Sequence, residues 1–276
     1  MTQACKLNLV VAHALEAKPL IEFFTLTQQL TAQPFPIYRN QRGLHLIVAG
    51  MGRQAAATAT AYLGQSQADI SGTVAGWLNV GIAGHQQLDI GEGVLAHKII
   101  EKETAECFYP TQLFSGFTSS EVITVDEPEL EYPENAAYEM EASGFYASVL
   151  RFVSAELAQV YKIISDNPLN PVKNIDASFV CESINGQCEQ IQQLLSGLED
   201  VVKQYNAAYQ LPREYEQFAS QLKLSASYRT QLKRLCQRYH ALGRSAELRG
   251  LTKKTFTSAR QLIAQLKLTL QRSESH

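Results

Sequence analysis

Short apolar runs of strand length alternate with longer segments of helical spacing through the first two thirds of the chain. The runs that predict strands are Leu7–Ala12, Gly43–Ala49, Trp77–Ala83, Gly91–Ile100, Glu121–Val125, Asn135–Met140 and Tyr161–Ser165. The helices predicted between them are Glu16–Gln29, Arg53–Leu63 and Glu141–Phe152. This alternation predicts an α/β fold in three layers, with a largely parallel or mixed central sheet.

From about Ala177 the pattern changes to helix alone. The predicted helices of this region are Phe179–Tyr205, Arg213–Lys223, Tyr228–Leu242 and Thr257–Gln271. We therefore predict two domains, an α/β domain over residues 1–197 and a small all-helical domain over residues 198–276.

The two predicted domains carry opposite charge. The chain of 276 residues has a formal net charge of −3. Residues 1–197 contain 10 Lys and Arg against 21 Asp and Glu, which is −11, whereas residues 198–276 contain 14 against 6, which is +8. Tyrosines lie between the cations of the helical region, so one interpretation is a nucleic-acid-binding face. The favoured interpretation is a small bundle packed by its leucines, with its cations solvated or paired with acidic surfaces.

The cysteines and the start of the chain bear on its compartment. Five cysteines are an odd number, and they follow neither a metal-ligand nor a disulfide-framework spacing, so no metal site is predicted. The segment Met1–Lys6 lacks a basic and apolar leader, and no apolar run approaches the roughly 20 residues of a membrane span. We expect a cytoplasmic protein that does not contact membranes.

Two carboxylates, Glu141 and Asp166, stand where apolar runs end. Burying an unpaired charge is costly unless hydrogen bonds or a ligand satisfy it. The turns at Gly50 and Gly81 lie at the ends of two other predicted strands, and ligands of α/β sheets bind outside the carboxyl ends of the strands. The sequence therefore predicts a pocket for a small polar ligand at this edge of the sheet.

The motifs Asn79-x-Gly81-x-Ala83-Gly84, Met140-Glu141 and Ser165-Asp166, in this order, resemble the nucleoside phosphorylase superfamily, and most of all its methylthioadenosine/S-adenosylhomocysteine nucleosidase branch. The resemblance covers most of residues 7–195, in the segments Val10–Pro19, Ala49–Ala57, Asn79–Val94, Ala137–Phe152 and Tyr161–Asn167. It implies a phosphorylase-like α/β domain that cleaves the N-glycosidic bond of a purine nucleoside or a related compound.

The resemblance also implies roles for single residues. Asp166 matches the acid near N7 of the leaving base, a role worth about 10²–10⁴-fold in rate. Glu141 matches the carboxylate that accepts hydrogen bonds from the ribose hydroxyls, and the Met140 side chain packs against the sugar. Small residues that permit close approach line the side of the nucleophile or phosphate: Gly81, Ala83 and Gly84.

The first loop departs from the family pattern. The alignment places Lys18 where the hydrolytic branch has its water-activating glutamate, and Glu16 could replace that glutamate only if the loop shifts its register. A lysine suits an anion, which weakens the case for a hydrolase and favours either a phosphorylase, with phosphate as co-substrate, or a binding protein that has lost catalysis. Arg53, at a predicted helix start, is a second candidate for an anion contact.

Three further departures concern the pocket wall. Ile82 replaces a serine of the nucleosidases, His85 replaces the following glycine, and the segment between Gly84 and Met140 is shorter than usual. In the family this segment helps to build the base-stacking wall and the dimer surface. The aromatic residues that could supply the stacking face are Phe108, Tyr109 and Tyr132.

The first hypothesis is a nucleosidase or a nucleoside phosphorylase, without a metal or a redox cofactor. The alternative is a non-catalytic nucleoside- or nucleotide-sensing module, coupled to a basic helical domain that binds nucleic acid or protein. A third hypothesis keeps the α/β domain as a scaffold only. The expected partners are a small-molecule nucleoside and, from the resemblance, a second copy in a homodimer; nucleic acid is not favoured.

Overall fold

The computed structural model describes residues 5–29, 33–67, 73–171, 176–209 and 211–271. Within these ranges the chain forms two compact units. The first holds the described residues up to Lys203, apart from Thr73, and the second begins at Gln204. The boundary that we expect at residue 197 stays a prediction.

Ten strands form the sheet of the first unit within the described residues. They are β1 (Leu7–Val11), β2 (Thr27–Gln28), β3 (Ile37–Arg39), β4 (Leu44–Val48), β5 (Gly76–His85), β6 (Gly93–Glu101), β7 (Cys107–Phe108), β8 (Thr118–Thr124), β9 (Ala137–Glu139) and β10 (Ala158–Asp166). Their order is β10-β6-β8-β9-β5-β1-β4-β3-β2, with β7 paired to β6. Because β10 also pairs with β5, the strands β5, β9, β8, β6 and β10 close into a ring of pairings.

The helices fall into two groups along the chain. Those that begin in the first unit are α1 (Ala14–Phe23), α2 (Arg53–Gln67), α3 (Ala142–Val149), α4 (Ala177–Gly186) and α5 (Cys188–Ala208). Those of the second unit are α6 (Arg213–Gln221), α7 (Ala226–Ala241), α8 (Ser245–Thr252) and α9 (Ala259–Gln271). The mixed sheet with its surrounding helices confirms the α/β prediction.

The centre of the sheet is parallel and fully buried. Strand β1 pairs in parallel with β4 and β5, and β5 pairs in parallel with β10. All residues of β1 and of β10 are buried. Parallel strands covered on both faces are typically near-continuous apolar runs, which is why these two strands stand out in the sequence. A charged residue inside such a strand needs a specific partner.

Several observed elements differ from the predicted ones, and three of the differences have a clear structural reason. The first helix stops at Phe23 instead of Gln29, because the chain turns at Thr25, where φ is +52°, and then enters β2. Strand β5 does not stop at Gly84, because Gly84 and His85 pair with β9. The segment predicted as one helix over Phe179–Tyr205 is α4 and α5, since the N–H of Gln187 caps the end of α4.

The elements that the sequence pattern missed are β2, β3, β7 and α8. The three strands contain only two or three residues each, which is too few for an alternating pattern to show.

The second unit has a core of its own. Aromatic and aliphatic side chains from α6, α7, α8 and α9 fill it, and its fully buried members include Phe218, Leu232, Tyr239 and Leu266. The Tyr239 hydroxyl donates a hydrogen bond of 2.9 Å to the Leu266 carbonyl. In the described residues of both units, no helix is long and apolar enough to cross a membrane.

Candidate functional site

The site is built on the neighbouring strands β5 and β10. Their register places Gly81 opposite Lys162 and Gly84 opposite Asp166. A β-bulge lies between Ile164 and Asp166, so β10 contains one residue more than β5 over this stretch, namely Ser165. Asp166 follows Lys162 by four positions along β10, which is about 13 Å of strand. Two groups of polar side chains lie along this distance, one at each end.

Glu16 reaches the first group because of the way α1 begins. His13 caps the helix, and Glu16 at the third helical position turns back in a capping box. Its Oε2 accepts from the N–H groups of Ala12 and His13, both at 2.9 Å, and its Oε1 accepts from the N–H of Ile82 at 3.2 Å. The carboxylate is therefore buried against β5. A methyl group on Gly81 would lie 3.0 Å from the Glu16 Oε1 atom, so Gly81 leaves the space that the carboxylate occupies.

The structure does not bring Lys18 to this group. Lys18 lies on the exposed side of α1, whereas Glu16 is buried beside Gly81. Glu16 needs no shift of the loop to reach this position, since the capping box alone directs it there. The preference for an anion at this end of the site, which rested on Lys18, loses its basis.

Lys162 is the centre of the first group, which also contains Glu16, Gly81, Glu139 and Glu141; we call it the Lys162 cluster. The Lys162 side chain is 1% exposed, and its Nζ lies 2.8 Å from Glu139 Oε2 and 4.0 Å from Glu141 Oε2. Burial disfavours the ammonium, but Glu139, Glu141 and Glu16 outweigh it and hold the pKa of Lys162 above its ordinary value. The cluster therefore combines one ammonium with three carboxyl groups.

Glu139 caps the start of α3 with its carboxylate. Its carboxylate accepts from the Glu141 N–H at 2.9 Å, from the Ala142 N–H and from the Thr124 hydroxyl at 2.6 Å. A carboxylate at the N-terminus of a helix satisfies free amide groups and interacts favourably with the helix dipole. With Lys162 as its ion-pair partner, Glu139 is fully occupied within the protein.

Glu141 is held more loosely. Its Oε1 accepts a hydrogen bond of 2.7 Å from the N–H of Gly52, in the turn that precedes α2. Burial raises the pKa of Glu141 to about 7, with Lys162 opposing the shift and Glu139 adding to it. Glu141 thus keeps free acceptor positions and changes charge near neutral pH.

Arg53 does not face the Lys162 cluster with its cation. Its guanidinium forms ion pairs with Glu101, with Glu103 at 3.2 Å and with Asp126 at 3.2 Å. Three carboxylates therefore share this cation, and an incoming anion would have to compete with them.

The second group lies around Asp166, and we call Gly84, Tyr132, Ser165 and Asp166 the Asp166 cluster. Ser165 donates a hydrogen bond of 2.5 Å to Asp166 Oδ1, and the Tyr132 hydroxyl donates one to Oδ2. The Ser165 hydroxyl also lies 3.3 Å from the carbonyl of Ala83. Both oxygens of the predicted acid are thus bonded to hydroxyl groups of the protein.

Met140 lies beside this second group. Its half-buried side chain packs against an apolar cluster that includes Tyr132 and Tyr138. Met140 and Glu141 follow each other in the chain, so one turn contributes a residue to each side of the candidate site.

The two histidines near the site have structural partners. Nδ1 of His13 accepts from the Leu15 N–H at the start of α1. Nδ1 of His85 accepts from the N–H groups of Gln87 and Leu88, at 3.0 and 3.1 Å, so the ring proton lies on Nε2. Burial lowers the pKa of His85, while Glu92 opposes this, and the ring is neutral at pH 7.

The sequence pattern does not single out two members of the site, Lys162 and Glu139, whereas Tyr132 is among its candidates for the stacking face. Lys162 had a visible signal, since it is a charge inside the apolar strand β10. Glu139 is the last residue of β9 and lies two residues before Glu141. Among the described residues, no group of three or more His, Cys, Asp or Glu could hold a metal ion.

A large groove lies away from the site, where β1 and β4 begin. Its volume is about 1700 Å³, and its lining includes Lys6, Arg39, Arg42 and Gly43. Neither the Lys162 cluster nor the Asp166 cluster contributes to it. We assign it no part in the chemistry, because ligands of α/β sheets bind at the opposite ends of the strands.

No protein-family model and no curated protein matches the chain. Solved structures do. The 5′-methylthioadenosine/S-adenosylhomocysteine nucleosidase from Helicobacter pylori matches with a TM-score of 0.58 and 13% identity, over 70% of this chain and 98% of its own. The enzyme from Colwellia psychrerythraea, in complex with adenine, matches with a TM-score of 0.54 and 19% identity, over 72% of this chain and 96% of its own. The 5′-methylthioadenosine nucleosidase of Arabidopsis thaliana matches with a TM-score of 0.59 and 11% identity, over 71% of this chain and 96% of its own.

The α/β unit has the nucleosidase fold. This confirms, at the level of the fold, the resemblance that the motifs indicate. The matches span nearly the whole of the neighbours and about 70% of this chain, which fits a shortened nucleosidase-like core followed by an additional C-terminal region.

Proposed function

We propose that the α/β unit binds a purine nucleoside or a related compound and hydrolyses its N-glycosidic bond. The observation that carries the proposal is the Glu16 carboxylate, buried beside Gly81 and close to Lys162 and Glu141. A carboxylate at this place can take a proton from water, and the neighbouring Glu141 can hold the sugar. The nucleosidase fold supports this assignment without establishing the reaction.

On the sugar side, Glu141 would accept hydrogen bonds from the ribose hydroxyls. The Gly52 N–H holds one of its oxygens, and the other faces Lys162 at 4.0 Å. An ionised Glu141 would also stabilise the positive charge that develops on the sugar as the bond to the base breaks. Met140 would pack against the sugar from the neighbouring position of the chain.

We infer that water, and not phosphate, attacks the sugar. The Lys162 cluster contains three carboxyl groups and one ammonium, so a phosphate dianion there would meet excess negative charge. Lys18 is exposed on α1, and Arg53 is shared among three carboxylates. Glu16 would act as the general base, because the Ala12, His13 and Ile82 amides fix its orientation beside Gly81.

On the base side, Asp166 would donate a proton towards N7 of the leaving base. It lies at the far end of the β5–β10 pair from Lys162, where Gly84 leaves room for its carboxylate and for the Tyr132 ring. A positioned acid of this kind contributes about 10²–10⁴-fold in rate. To do so, Asp166 must exchange one of its present hydroxyl partners for the base.

The test is a product assay with adenosine, inosine and methylthioadenosine, with and without phosphate. We expect base release that does not require phosphate, and we expect Glu16→Gln and Asp166→Asn each to lower kcat by about 10²–10⁴-fold. Glu22→Gln is the matched control, since Glu22 is an exposed carboxylate on the same helix as Glu16. Release only with phosphate would contradict the role of water. Unchanged turnover in both site variants would contradict the site.

One observation favours the alternative of a non-catalytic, nucleoside-sensing module. Both Asp166 oxygens are bonded to hydroxyl groups of the protein, so that neither is free to contact a base. On this hypothesis, nucleosides raise the melting temperature of the wild-type protein without any product being formed. The basic helical unit would then act on nucleic acid or protein.

A further inference from the structure

Tyr132 occupies the side of the site on which a base would have to lie. Its side chain is 1% exposed, and its hydroxyl donates a hydrogen bond to Asp166 Oδ2. A methyl group on Gly84 would overlap both Tyr132 Cε1 and Asp166 Oδ2, so the ring and the carboxylate share the space above this glycine. The aromatic ring with its polar edge on Asp166 thus resembles a flat base held by the same carboxylate.

The loop that carries Tyr132 is built to turn this ring inward. Tyr132 has φ of +46°, a conformation that a bulky side chain rarely adopts. The Tyr138 ring packs edge-on against it, with ring centres 6.1 Å apart. The loop is tied on either side of Tyr132, by the 2.6 Å ion pair of Lys102 with Glu129 and by the Tyr138 hydroxyl, which accepts from the Glu134 N–H at 3.0 Å.

We propose that Tyr132 is the specificity-determining residue of the base side, and that a purine reaches Asp166 only by displacing its phenol. This inference rests on the proposed function. It divides ligands into two classes: a full nucleoside competes with Tyr132, whereas a sugar without a base does not. The apparent affinity for nucleosides is then the intrinsic affinity multiplied by the fraction of molecules in which Tyr132 has left Asp166. Burial and the Asp166 carboxylate raise the pKa of Tyr132, so the phenol stays a neutral donor.

The experiment measures binding of adenosine and of ribose by calorimetry, for the wild type, Tyr132→Phe and Tyr132→Ala. We expect Tyr132→Phe, which keeps the ring and loses the hydrogen bond, to bind adenosine about tenfold more tightly. Tyr132→Ala, which also opens the space, should bind it more tightly still. Affinity for ribose should be the same in all three proteins. A merely structural role for Tyr132 predicts the opposite sign, a loss of affinity.

The matched control is Tyr161→Phe. This substitution also removes a hydroxyl that donates a hydrogen bond, a partly buried one of 2.6 Å to Gln187 Oε1, but Tyr161 belongs to neither cluster. Adenosine affinity equal to that of the wild type in both Tyr132 variants overturns the role of Tyr132 but leaves the proposed function intact. Absence of adenosine binding in every protein overturns both. If Tyr132→Ala does not fold, Tyr132→Phe decides alone.

Discussion

Lys162 shows how strongly one buried charge depends on its surroundings. Its ammonium is removed from water and is compensated by Glu139 at 2.8 Å and Glu141 at 4.0 Å. Removing one partner of a buried ion pair leaves the others without compensation, which costs far more than the pair itself contributes. Lys162 therefore both stabilises the fold and keeps Glu16 and Glu141 in one place.

Replacing Lys162 by Met, a side chain of similar length, should lower the free energy of unfolding by about 3–5 kcal/mol. The reason is that the carboxylates of the cluster then face each other without a cation. Urea denaturation at neutral pH measures the change. Lys98→Met is the control, because Lys98 pairs with Glu121 at the surface and its loss should change little. Equal losses in both variants would contradict this account of the cluster.

Glu141 should make both stability and binding depend on pH. Its pKa rises from 4.5 in the free carboxyl group to about 7 in the protein, so between these values the native state holds a proton that the unfolded state has lost. Stability from this group is thus fully present below about pH 4.5 and decreases as the pH rises to about 7, by about 3 kcal/mol in total.

Urea denaturation of the wild type and Glu141→Gln between about pH 5 and pH 8 measures this effect. Relative to the variant, the wild type should lose stability up to about pH 7 and stay level above it. Nucleoside binding should increase over the same interval, because the ionised carboxylate accepts from the ribose hydroxyls. A pH-independent difference between the two proteins would show that Glu141 does not titrate as expected.

The sequence predicts the residues of the site only where their signal is local. Glu141 and Asp166 are visible because each ends an apolar run, and Gly81 and Gly84 because glycine punctuates a strand. Lys162 acquires its meaning only through carboxylates from α1 and β9, which are distant in the chain. Tyr132 lies in a loop whose path no pattern determines. The burial of Glu16, in contrast to Lys18, follows from the capping box, whose hydrogen bonds only the structure reveals.

At the scale of elements, the close approach of α2 and α3 determines where Glu141 can lie. A methyl group on Gly144, in the first turn of α3, would overlap the backbone carbonyl of Arg53 at the start of α2. The same two helix starts carry the hydrogen bond from the Gly52 N–H to Glu141. The absence of a side chain at Gly144 thus lets the two ends meet.

We expect Gly144→Ala to reduce the free energy of unfolding by about 1–3 kcal/mol, because the obstacle is backbone and cannot rotate away. Gly186→Ala is the matched control: it changes a helical glycine of the same unit, with no atom within 4 Å of the added methyl. That control should be neutral or slightly stabilising, since alanine favours helix by about 0.5–1 kcal/mol. Urea denaturation compares the two, and equal effects would refute the close contact.

Long elements are well predicted by periodicity, and short ones are not. The strands β1, β4 and β10 appear as apolar runs because each is buried along most of its length. The end of α1 at Phe23 depends on the turn at Thr25, and the break at Gln187 depends on contacts with Gly91 and Tyr161. Such tertiary contacts leave no regular trace in the sequence.

At the scale of the whole molecule, charge separates the two parts of the chain. Residues 204–271 contain 12 Lys and Arg against three Asp and Glu. These cations are distributed over all four helices of the second unit instead of lining one element, whereas its apolar side chains form a closed core. This distribution suits a solvated surface better than a sequence-reading face.

We expect the full-length protein to bind duplex DNA weakly and without sequence preference at about 50 mM salt, and to release it by about 200 mM, because phosphate contacts alone would hold it. Fluorescence anisotropy with two unrelated labelled duplexes measures this. The double variant Lys233→Glu, Arg234→Glu on α7 should weaken binding to both duplexes equally. Binding that persists at the higher salt and differs between the duplexes would indicate a true nucleic-acid function.

The fold of the first unit follows from the sequence more securely than its activity does. Alternating strands and helices with four strand ends at one edge predict an α/β ligand site, and the structural neighbours confirm the fold. Which groups are free to act is decided by their hydrogen-bond partners, as the occupied oxygens of Asp166 demonstrate.

Because of the bulge in β10, the position of Asp166 relative to β5 depends on the number of residues in this strand. Because Ser165 is the extra residue, a regular ladder through all residues of β10 would place Asp166 opposite His85 instead of opposite Gly84. A change of one residue in the length of this stretch could thus keep the strand pairing while the carboxylate pointed elsewhere. Insertions and deletions, more than substitutions, are therefore the changes by which a descendant of this protein would lose its site and keep its fold.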